Sequence, residues 1–411
     1  MSEILNINLA PLGKTKIDWV KAHMPVLGEI EKRFKAEQPF KGLKVALSVH
    51  LEAKTAYLCK VLAAGGAEMY VTGSNPLSTV DEVAAALVAD GLNVFARYNA
   101  SESEYRSALR SVLSIYPNII IDDGGELVEM MHSEFSASLS EVIGGCEETT
   151  TGITSLKKMK AAGRLKFPMM LVNDADCKHL FDNRYGTGQS VWDAIMRTTN
   201  LIIAGKTVVV SGFGWCGKGV AARADGLGAK VVITEVNPVR AIEAHMEGYA
   251  VMPMAEASRI GDIFVSVTGC SGIVSGPDIM NLKEGAILTN AGHFDVEIDT
   301  KALEELSTEV FEVRHNILGY RLKNGKTVYL ISEGRLVNLA AAEGHPAEIM
   351  DMSFAIQALS AEYLVKNRHN LETELIPVPK EIDNFVARLK LKSLGISIDE
   401  LTEEQREYLG K

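Results

Sequence analysis

Twice along this chain, short runs of β-branched and aliphatic residues alternate with longer helical patterns, a rhythm that leaves few folds open. The first series starts at KVALSVH (Lys44 to His50) and continues through EMYVTG, LNVFARY and NIIIDD. Amphipathic stretches such as AKTAYLCKVLAAGG and STVDEVAAALVADG lie between the runs. Strand, helix, strand in this order implies a mainly parallel sheet covered on both faces. Ligands of such sheets sit at the loops beyond the C-terminal strand ends. A second series, from about Asp182 to His345, contains TVVVSGFG, KVVITE, DIFVSVTG and AILTNAG. After it, MDMSFAIQALSAEYLVKN reads as a long amphipathic helix, and a charged tail follows the break at IPVPK. A chain of 411 residues exceeds one ordinary core. The expectation is an α/β protein of two doubly wound parallel-sheet domains plus a small helical C-terminal segment. Breaks near Asp182, His345 and Lys380 divide it into 1–182, 183–345, 346–380 and 381–411.

The formal net charge of -11 argues against a phosphate-binding surface, so neither nucleic acid nor an acidic membrane is an expected partner. Five scattered cysteines, Cys59, Cys146, Cys177, Cys216 and Cys270, include no CxxC pair, which disfavours a disulfide framework or a zinc site. The opening MSEILNINLAPLGKTKIDWV has no apolar core of signal-peptide type, and no apolar run nears the ~20 residues of a membrane span. A cytoplasmic location is expected, with no metal.

Gly212-Phe213-Gly214-Trp215-Cys216-Gly217 fits G-x-G-x-x-G. Its glycines permit a tight turn, close approach to a pyrophosphate and close packing of helix on strand. Such a turn alone is weak, because structural glycine-rich turns are common. Here it follows the strand TVVVS and opens a helix at GVAARADGLG, and the next strand ends in Glu235 near the offset of a ribose-binding acid. A dinucleotide is therefore expected. Glu235 would repel a 2'-phosphate and favours NAD, whereas Arg240 five residues on weakens that preference.

Unusual polar strings occupy both halves: IDDGGE (Ile121 to Glu126), EETTTG (Glu147 to Gly152), VNDADCKHLFDNRYG (Val172 to Gly186) and SGFGWCGKG. NAGHFDVEID (Asn290 to Asp299), EGRLVNLAAAEGHP (Glu333 to Pro346) and MDMSFAIQALSAEYL follow. In these strings and their order, across nearly the whole length, the chain resembles the S-adenosylhomocysteine hydrolase family. The resemblance implies a split substrate domain, a central Rossmann NAD domain and a C-terminal segment that reaches a neighbouring subunit in a homodimer or homotetramer. It implies a small nucleoside thioether as substrate and NAD held as a recycled catalyst. Oxidation at the ribose 3'-carbon acidifies the 4'-proton, homocysteine is eliminated, water adds, and the hydride returns.

The resemblance also implies roles residue by residue. Lys178 and Asp182 would hold the 3'-hydroxyl, with Lys178 as base, which requires a lysine pKa lowered by burial or like charge. Glu148 would grip the 2'- and 3'-hydroxyls, and Asn173 would sit near the reacting carbons. His50 and Asp123 would serve the 5'-position as proton donor and acceptor. His293 and His345 would line the site, His345 also approaching the homocysteine portion and the cofactor. Thr55, Met350 and Phe354 would contact substrate. Thr149, Thr150, Thr151, Asn183, Trp215, Cys216, Thr268, Gly269 and Asn338 would contact NAD together with the motif glycines Gly212, Gly214 and Gly217 and with Glu235. The thiols of Cys177 and Cys216 are given no chemical part.

Each residue also has an ordinary structural reading. Lys178 and Asp182 at i, i+4 fit a surface helix pair. Asp123 and the threonines fit caps, and His50, His293 and His345 fit core or turn positions. Two departures from the family pattern stand out. At the first strand end the run His50-Leu51-Glu52-Ala53-Lys54-Thr55 carries Glu52 and Lys54 at purine-edge positions. With adenine, Glu52 would accept from the amine and Lys54 donate to N1. With hypoxanthine, Glu52 would accept from N1–H and Lys54 donate to O6, which suits S-inosylhomocysteine. The two side chains also fit a simple ion pair with each other. The adenosyl substrate comes narrowly first. The chain also stops at Tyr408-Leu409-Gly410-Lys411, before the Lys- and Tyr-containing tail of many members, although ELTEEQREYL still suits oligomerisation. A plain NAD-dependent dehydrogenase and a catalytically silent nucleoside-binding relative are the competing readings.

Overall fold

The computed structural model describes residues 2–410. Two sheets account for its strands. The first contains β1 (Lys44–Ser48), β2 (Glu68–Thr72), β3 (Asn93–Val94), β4 (Ile119–Asp122), β5 (Gly144–Glu147) and β6 (Met169–Leu171). The second contains β7 (Thr207–Ser211), β8 (Lys230–Thr234), β9 (Ala250–Val251), β10 (Ile263–Ser266), β11 (Ile287–Asn290), β12 (Ser307–Arg314), β13 (Ile317–Leu322) and β14 (Thr327–Ile331). The chain then returns to the first sheet with β15 (Leu375–Pro377).

The first sheet runs β15-β6-β5-β4-β1-β2-β3 and is parallel throughout. Its centre is uniformly apolar, because both faces are covered. Val45 to Leu47 and Ile119 to Ile121 are fully buried, each large side chain contributing roughly 1.5–3 kcal/mol. The second sheet runs β12-β13-β14-β11-β10-β7-β8-β9. From β14 to β9 it is parallel, but β12 and β13 pair antiparallel, so the expected doubly wound sheet carries an antiparallel edge.

The helix Ala347–Asn367 differs from its amphipathic reading. Every residue from Met350 to Glu362 is buried, because the helix is enclosed by the helices Pro25–Glu37, Ala53–Ala64 and Lys380–Ser393 and by β5. Gly144 in β5 makes this possible, since a Cβ there would press on Leu364. The helix Lys380–Ser393, expected in a segment set apart for oligomerisation, packs on its own chain: Asp383 is buried and accepts from the amides of Asp176 and Cys177 at 2.7 and 2.8 Å.

Between the sheets the chain crosses through a wide helical turn at His179–Gly186, continued by the helix Thr187–Thr199. That helix touches Trp215–Gly226 backbone to backbone, and a Cβ on Gly219 would overlap the Arg184 carbonyl. Gly219→Ala is expected to cost roughly 1–3 kcal/mol by overpacking, read as a lowered Tm. An unchanged Tm would mean that this crossing is loosely packed. No described helix is long and apolar enough to cross a membrane.

Candidate active site

Each sheet reverses its strand order once, and the loops splay apart there. In the first sheet this happens between β4 and β1, where Asp123 and His50 leave the strand ends. In the second it happens between β10 and β7, followed by Thr268 and Gly212. Both sets of loops line one cavity of ≈ 1460 Å³. The sequence-derived residues converge on it, with Gly217 as the exception. A Cβ on Gly217 would overlap the carbonyl of Gly212, so this glycine serves the packing of its turn.

The helix start at Asp176–Lys178 and the wide turn after it bring Lys178 and Asp182 inside, not to a surface helix face. The Lys178 ammonium lies 2.9 Å from Asn183 Oδ1, 3.2 Å from Asn173 Oδ1 and 3.2 Å from Asp182 Oδ2. Its three protons are therefore committed. Burial pulls this ammonium down, yet Asp182 and, at 3.9 Å, Glu148 outweigh that, and the net pKa is raised. The expectation of a lowered lysine pKa thus fails in the ligand-free protein, because two carboxyl groups share its pocket. Burial alone would push the Asp182 carboxyl up. Lys178, His345 at 2.5 Å and Ser353 at 2.8 Å instead hold it well below the usual range.

Glu148 goes the other way. Burial pushes it up to about 8, against the pull of Lys178. Its Oε2 accepts from Gln357 at 2.8 Å, while Oε1 is buried and has no partner among the described residues. A proton on Oε1 fits this arrangement and leaves a donor beside Lys178. Free-enzyme kcat/KM is then expected to fall above a pH of about 8 as this proton leaves, and Glu148→Gln to remove that limb. A basic limb unchanged in the variant would assign it to another group. The raised pKa also means that the folded state holds a proton the unfolded state releases near its ordinary value. The associated stability is full below the unfolded pKa and declines as pH rises toward about 8.

His50 and Asp123 face each other with Nε2 and Oδ2 3.4 Å apart. Burial lowers the imidazole to about 4, so it is neutral at pH 7. His50 Nδ1 lies 2.6 Å from the Ser78 hydroxyl, and Asp123 accepts from Ser74 at 3.0 Å. The Ser78 hydroxyl has one proton for two acceptors, His50 Nδ1 and, at 3.0 Å, the Asn75 carbonyl; when it goes to Nδ1, the ring proton sits on Nε2 against the carboxylate. One proton and one empty acceptor then stand side by side. His293 completes the group: one ligand-type atom each of His50, Asp123 and His293 lies within 4.8 Å of the others. The cap is supplied by Asp122, which accepts from Val128 N at 2.8 Å, and not by Asp123.

At the far end Glu52 caps the helix Ala53–Ala64 through the amides of Lys54 and Thr55 and pairs with the Lys54 ammonium at 2.7 Å. Lys54 also donates to the Glu343 carbonyl at 3.0 Å, and Thr55 to the His50 carbonyl at 2.6 Å. The simple ion pair is present, and both side chains also line the cavity beside Met350 and Phe354.

The second sheet's side of the cavity suits a dinucleotide. Gly212 has a φ of 97°, open to glycine, and space surrounds the Gly214 Cα. The helix starting at Trp215 has no side-chain cap, so its first amides point free toward the cavity. Partial burial pushes the Glu235 carboxyl up, but the amides of Phe213, Val236 and Asn237 outweigh it and keep Glu235 ionised at neutral pH. Asn338 donates to Ser190 while its buried Oδ1 has no partner among the described residues, an acceptor facing the cavity. Thr149 both caps the helix Thr150–Ala161 and lines the cavity with Thr150 and Thr151.

Ser74, Ser78, Ser353 and Gln357 escaped the sequence reading. Ser353 and Gln357 stand at i, i+4 in a very apolar helix, a polar pair whose spacing was the available signal. The serines of the Gly73–Thr79 loop carry none.

The family profile described as S-adenosyl-L-homocysteine hydrolase matches residues 2–144, and that of its NAD binding domain matches residues 183–344. Over 409 residues the chain is 56% identical to S-inosyl-L-homocysteine hydrolase of Methanocaldococcus jannaschii, covering 100% of this chain and 98% of the relative. It is 55% identical over 408 residues to adenosylhomocysteinase of Saccharolobus solfataricus, covering 99% and 98%. Adenosylhomocysteinase of Thermotoga maritima is 54% identical over 397 residues, covering 97% and 98%.

Proposed function

The chain belongs to the S-adenosyl-L-homocysteine hydrolase family, and from that premise we propose that it reversibly hydrolyses S-adenosyl-L-homocysteine to adenosine and homocysteine, with NAD retained between turnovers. The observation that carries this reading is the convergence on one cavity of Lys178, Asp182 and Glu148, of the His50–Asp123 pair and of the dinucleotide turn.

Held by Gly212, Gly214, Glu235, Thr268, Asn338 and the threonines after β5, NAD would take and return the hydride at the ribose 3'-carbon. The protein's own work is proton transfer and exclusion of water. Glu148 donates its Oε1 proton to the ribose hydroxyls, and Asp182 accepts from the 3'-hydroxyl. When these carboxyl groups turn to the sugar, the charges that hold the Lys178 ammonium up are drawn off. Once its own proton has passed to solvent, Lys178 becomes a base for the 3'-hydroxyl or for the 4'-carbon. Asn173 and Asn183 keep its Nζ in place. At the 5'-carbon the Nε2 proton of His50 serves the departing thiolate, and Asp123 accepts from the incoming water. His345 leaves Asp182 for the homocysteine portion, and His293 closes the side toward the second sheet.

A second reading is S-inosyl-L-homocysteine hydrolysis. It is favoured by the Lys54–Glu52 pair, a donor beside an acceptor that matches O6 and N1–H of hypoxanthine. Relatives of both kinds match the chain at similar identity. The enzyme is also proposed to act in the cytoplasm as a homo-oligomer, using exposed Ile396, Ile398 and Tyr408 near the C-terminal end.

Homocysteine thiol release from the two nucleosides, assayed in parallel on NAD-loaded protein, decides between them. Preference for the adenosyl compound supports the first reading, and preference for the inosyl compound makes Lys54 a reader of O6. Stoichiometric release of reduced cofactor would point to an ordinary dehydrogenase. Binding without any thiol would leave a silent relative.

A further inference from the structure

Two buried glutamates outside the roles above repeat one geometry behind the lining of the cavity, one beside each sheet. Glu147, at the end of β5, is fully buried. Its Oε1 accepts from Gly124 N at 2.9 Å, Thr149 N at 3.0 Å and the Thr149 hydroxyl at 2.8 Å. Glu297, in the loop after β11, is 1% exposed. Its Oε2 accepts from Thr268 N at 2.9 Å and the Thr268 hydroxyl at 2.8 Å, and its Oε1 from Gly269 N at 2.7 Å. In each case one carboxyl group gathers two main-chain amides and a threonine hydroxyl. In each case it also lies flat against a glycine, Gly152 or Gly292, where any Cβ would overlap it.

What the two carboxyl groups join differs. Glu147 ties the loop carrying Asp123 to the turn that carries Glu148 and begins the threonine run. Glu297 sits four residues beyond His293 and ties that loop to the Thr268–Gly269 turn. Gly124, Thr149, Thr268, Gly269 and Gly292 all line the cavity. Neither glutamate lines it itself, so neither touches substrate or cofactor. With turnover resting on the hydrolase reading and cofactor binding on the matched NAD domain, we propose that Glu147 and Glu297 are positioning residues. Each is a clasp that fixes a proton-transfer loop against a cofactor-facing turn, one in each half of the molecule.

The two clasps differ in how their carboxyl oxygens are used: Glu147 accepts through Oε1 alone, Glu297 through both oxygens. Glu147 Oε2 is buried and has no partner among the described residues, and the Asp122 carboxyl is its cross-strand neighbour. Burial pushes the carboxyl groups of both Glu147 and Glu297 up. Glutamine should preserve the Glu147 clasp, because all three bonds end on Oε1, but not that of Glu297, where an NH2 in place of either oxygen would face a donor. Alanine leaves two buried amides and a hydroxyl without an acceptor in either place.

The test uses E147A, E147Q, E297A and E297Q in the full chain. It has two readouts: NAD affinity of the cofactor-stripped protein, followed by Trp fluorescence, and thiol release set against 3'-oxidation, followed by absorbance of the reduced nicotinamide. E147A is expected to slow thiol release by roughly 10²-fold, the scale of a misplaced acid–base group, and to leave 3'-oxidation much less affected. E297A is expected to weaken NAD binding about tenfold, the scale of one lost set of buried hydrogen bonds. E147Q should stay close to the parent in both readouts, whereas E297Q should weaken NAD binding as E297A does. Alanine variants with unchanged NAD affinity and an unchanged ratio of the two rates would overturn the proposal, as would an E147Q variant as impaired as E147A. Should an alanine variant fail to fold, E147D and E297D carry the same comparison, since they keep the carboxyl but withdraw it from the amides. A parent protein that binds NAD and releases no thiol would count against the hydrolase reading, while the NAD affinity of E297A against the parent still judges the clasp.

Discussion

Replacement of Lys178 by arginine is expected to reduce thiol release by roughly 10²–10⁴-fold, the range for loss of a general base, with NAD still bound. Arginine keeps the positive charge between Asp182 and Glu148, so the buried carboxyl groups stay compensated, but it cannot give up a proton. Lys178→Ala is expected to be as inactive and also less stable, because it strands the buried Asp182 carboxylate. The comparison is decisive because Lys178 is an ammonium in the ligand-free protein, its pKa raised by those same neighbours. If Lys178→Arg retains activity within a few-fold, Lys178 works by its charge alone and the base must be another group. Solvent exchange of the 4'-proton, followed by NMR, reports the same step without requiring homocysteine to leave.

The difference between the expected and the observed lysine shows what a sequence can carry. Lys178 and Asp182 at i, i+4 were visible as a pair. Their burial was not, because it depends on a wide turn and on a helix that returns from beyond residue 346 with Ser353 and Gln357. The central strands were legible because they are unbroken apolar runs. β5 was not, since its sequence GGCE carries no strand signal. Its glycines answer to packing instead, Gly144 against Leu364 and Gly145 against Met169. The antiparallel edge was missed for a related reason. β12 is largely exposed and alternates charge with apolar residues, so it lacks the signature of a buried strand. The residues read at strand ends line the cavity, because the switch points of two parallel sheets leave few places for a ligand. Partners supplied from other elements, such as Ser74 and Ser78 beside the His50–Asp123 pair, follow only from the assembled fold.

That pair gives the other large expected effect. His50→Asn and Asp123→Asn should each lower thiol release by roughly 10²–10⁴-fold, the cost of removing one proton-transfer group. The loss should be confined to the 5'-carbon. In the proposed mechanism oxidation of the 3'-carbon is the work of Lys178, Asp182 and Glu148, so mixing either variant with substrate should still produce the absorbance of reduced nicotinamide. Because elimination cannot follow, that absorbance should persist instead of decaying with turnover. The double variant should be little worse than either single one, since one proton passes between the two side chains and residues acting as a unit are not additive. His50 is neutral at pH 7, held near 4 by burial, so the parent's activity should not change as pH moves through the ordinary histidine range. An acid limb near pH 6.5 in kcat/KM would show a solvated, protonatable His50 in the working enzyme. Loss of the nicotinamide signal together with thiol release would place the pair in the oxidation step, and would require the division of labour between the two sets of residues to be redrawn.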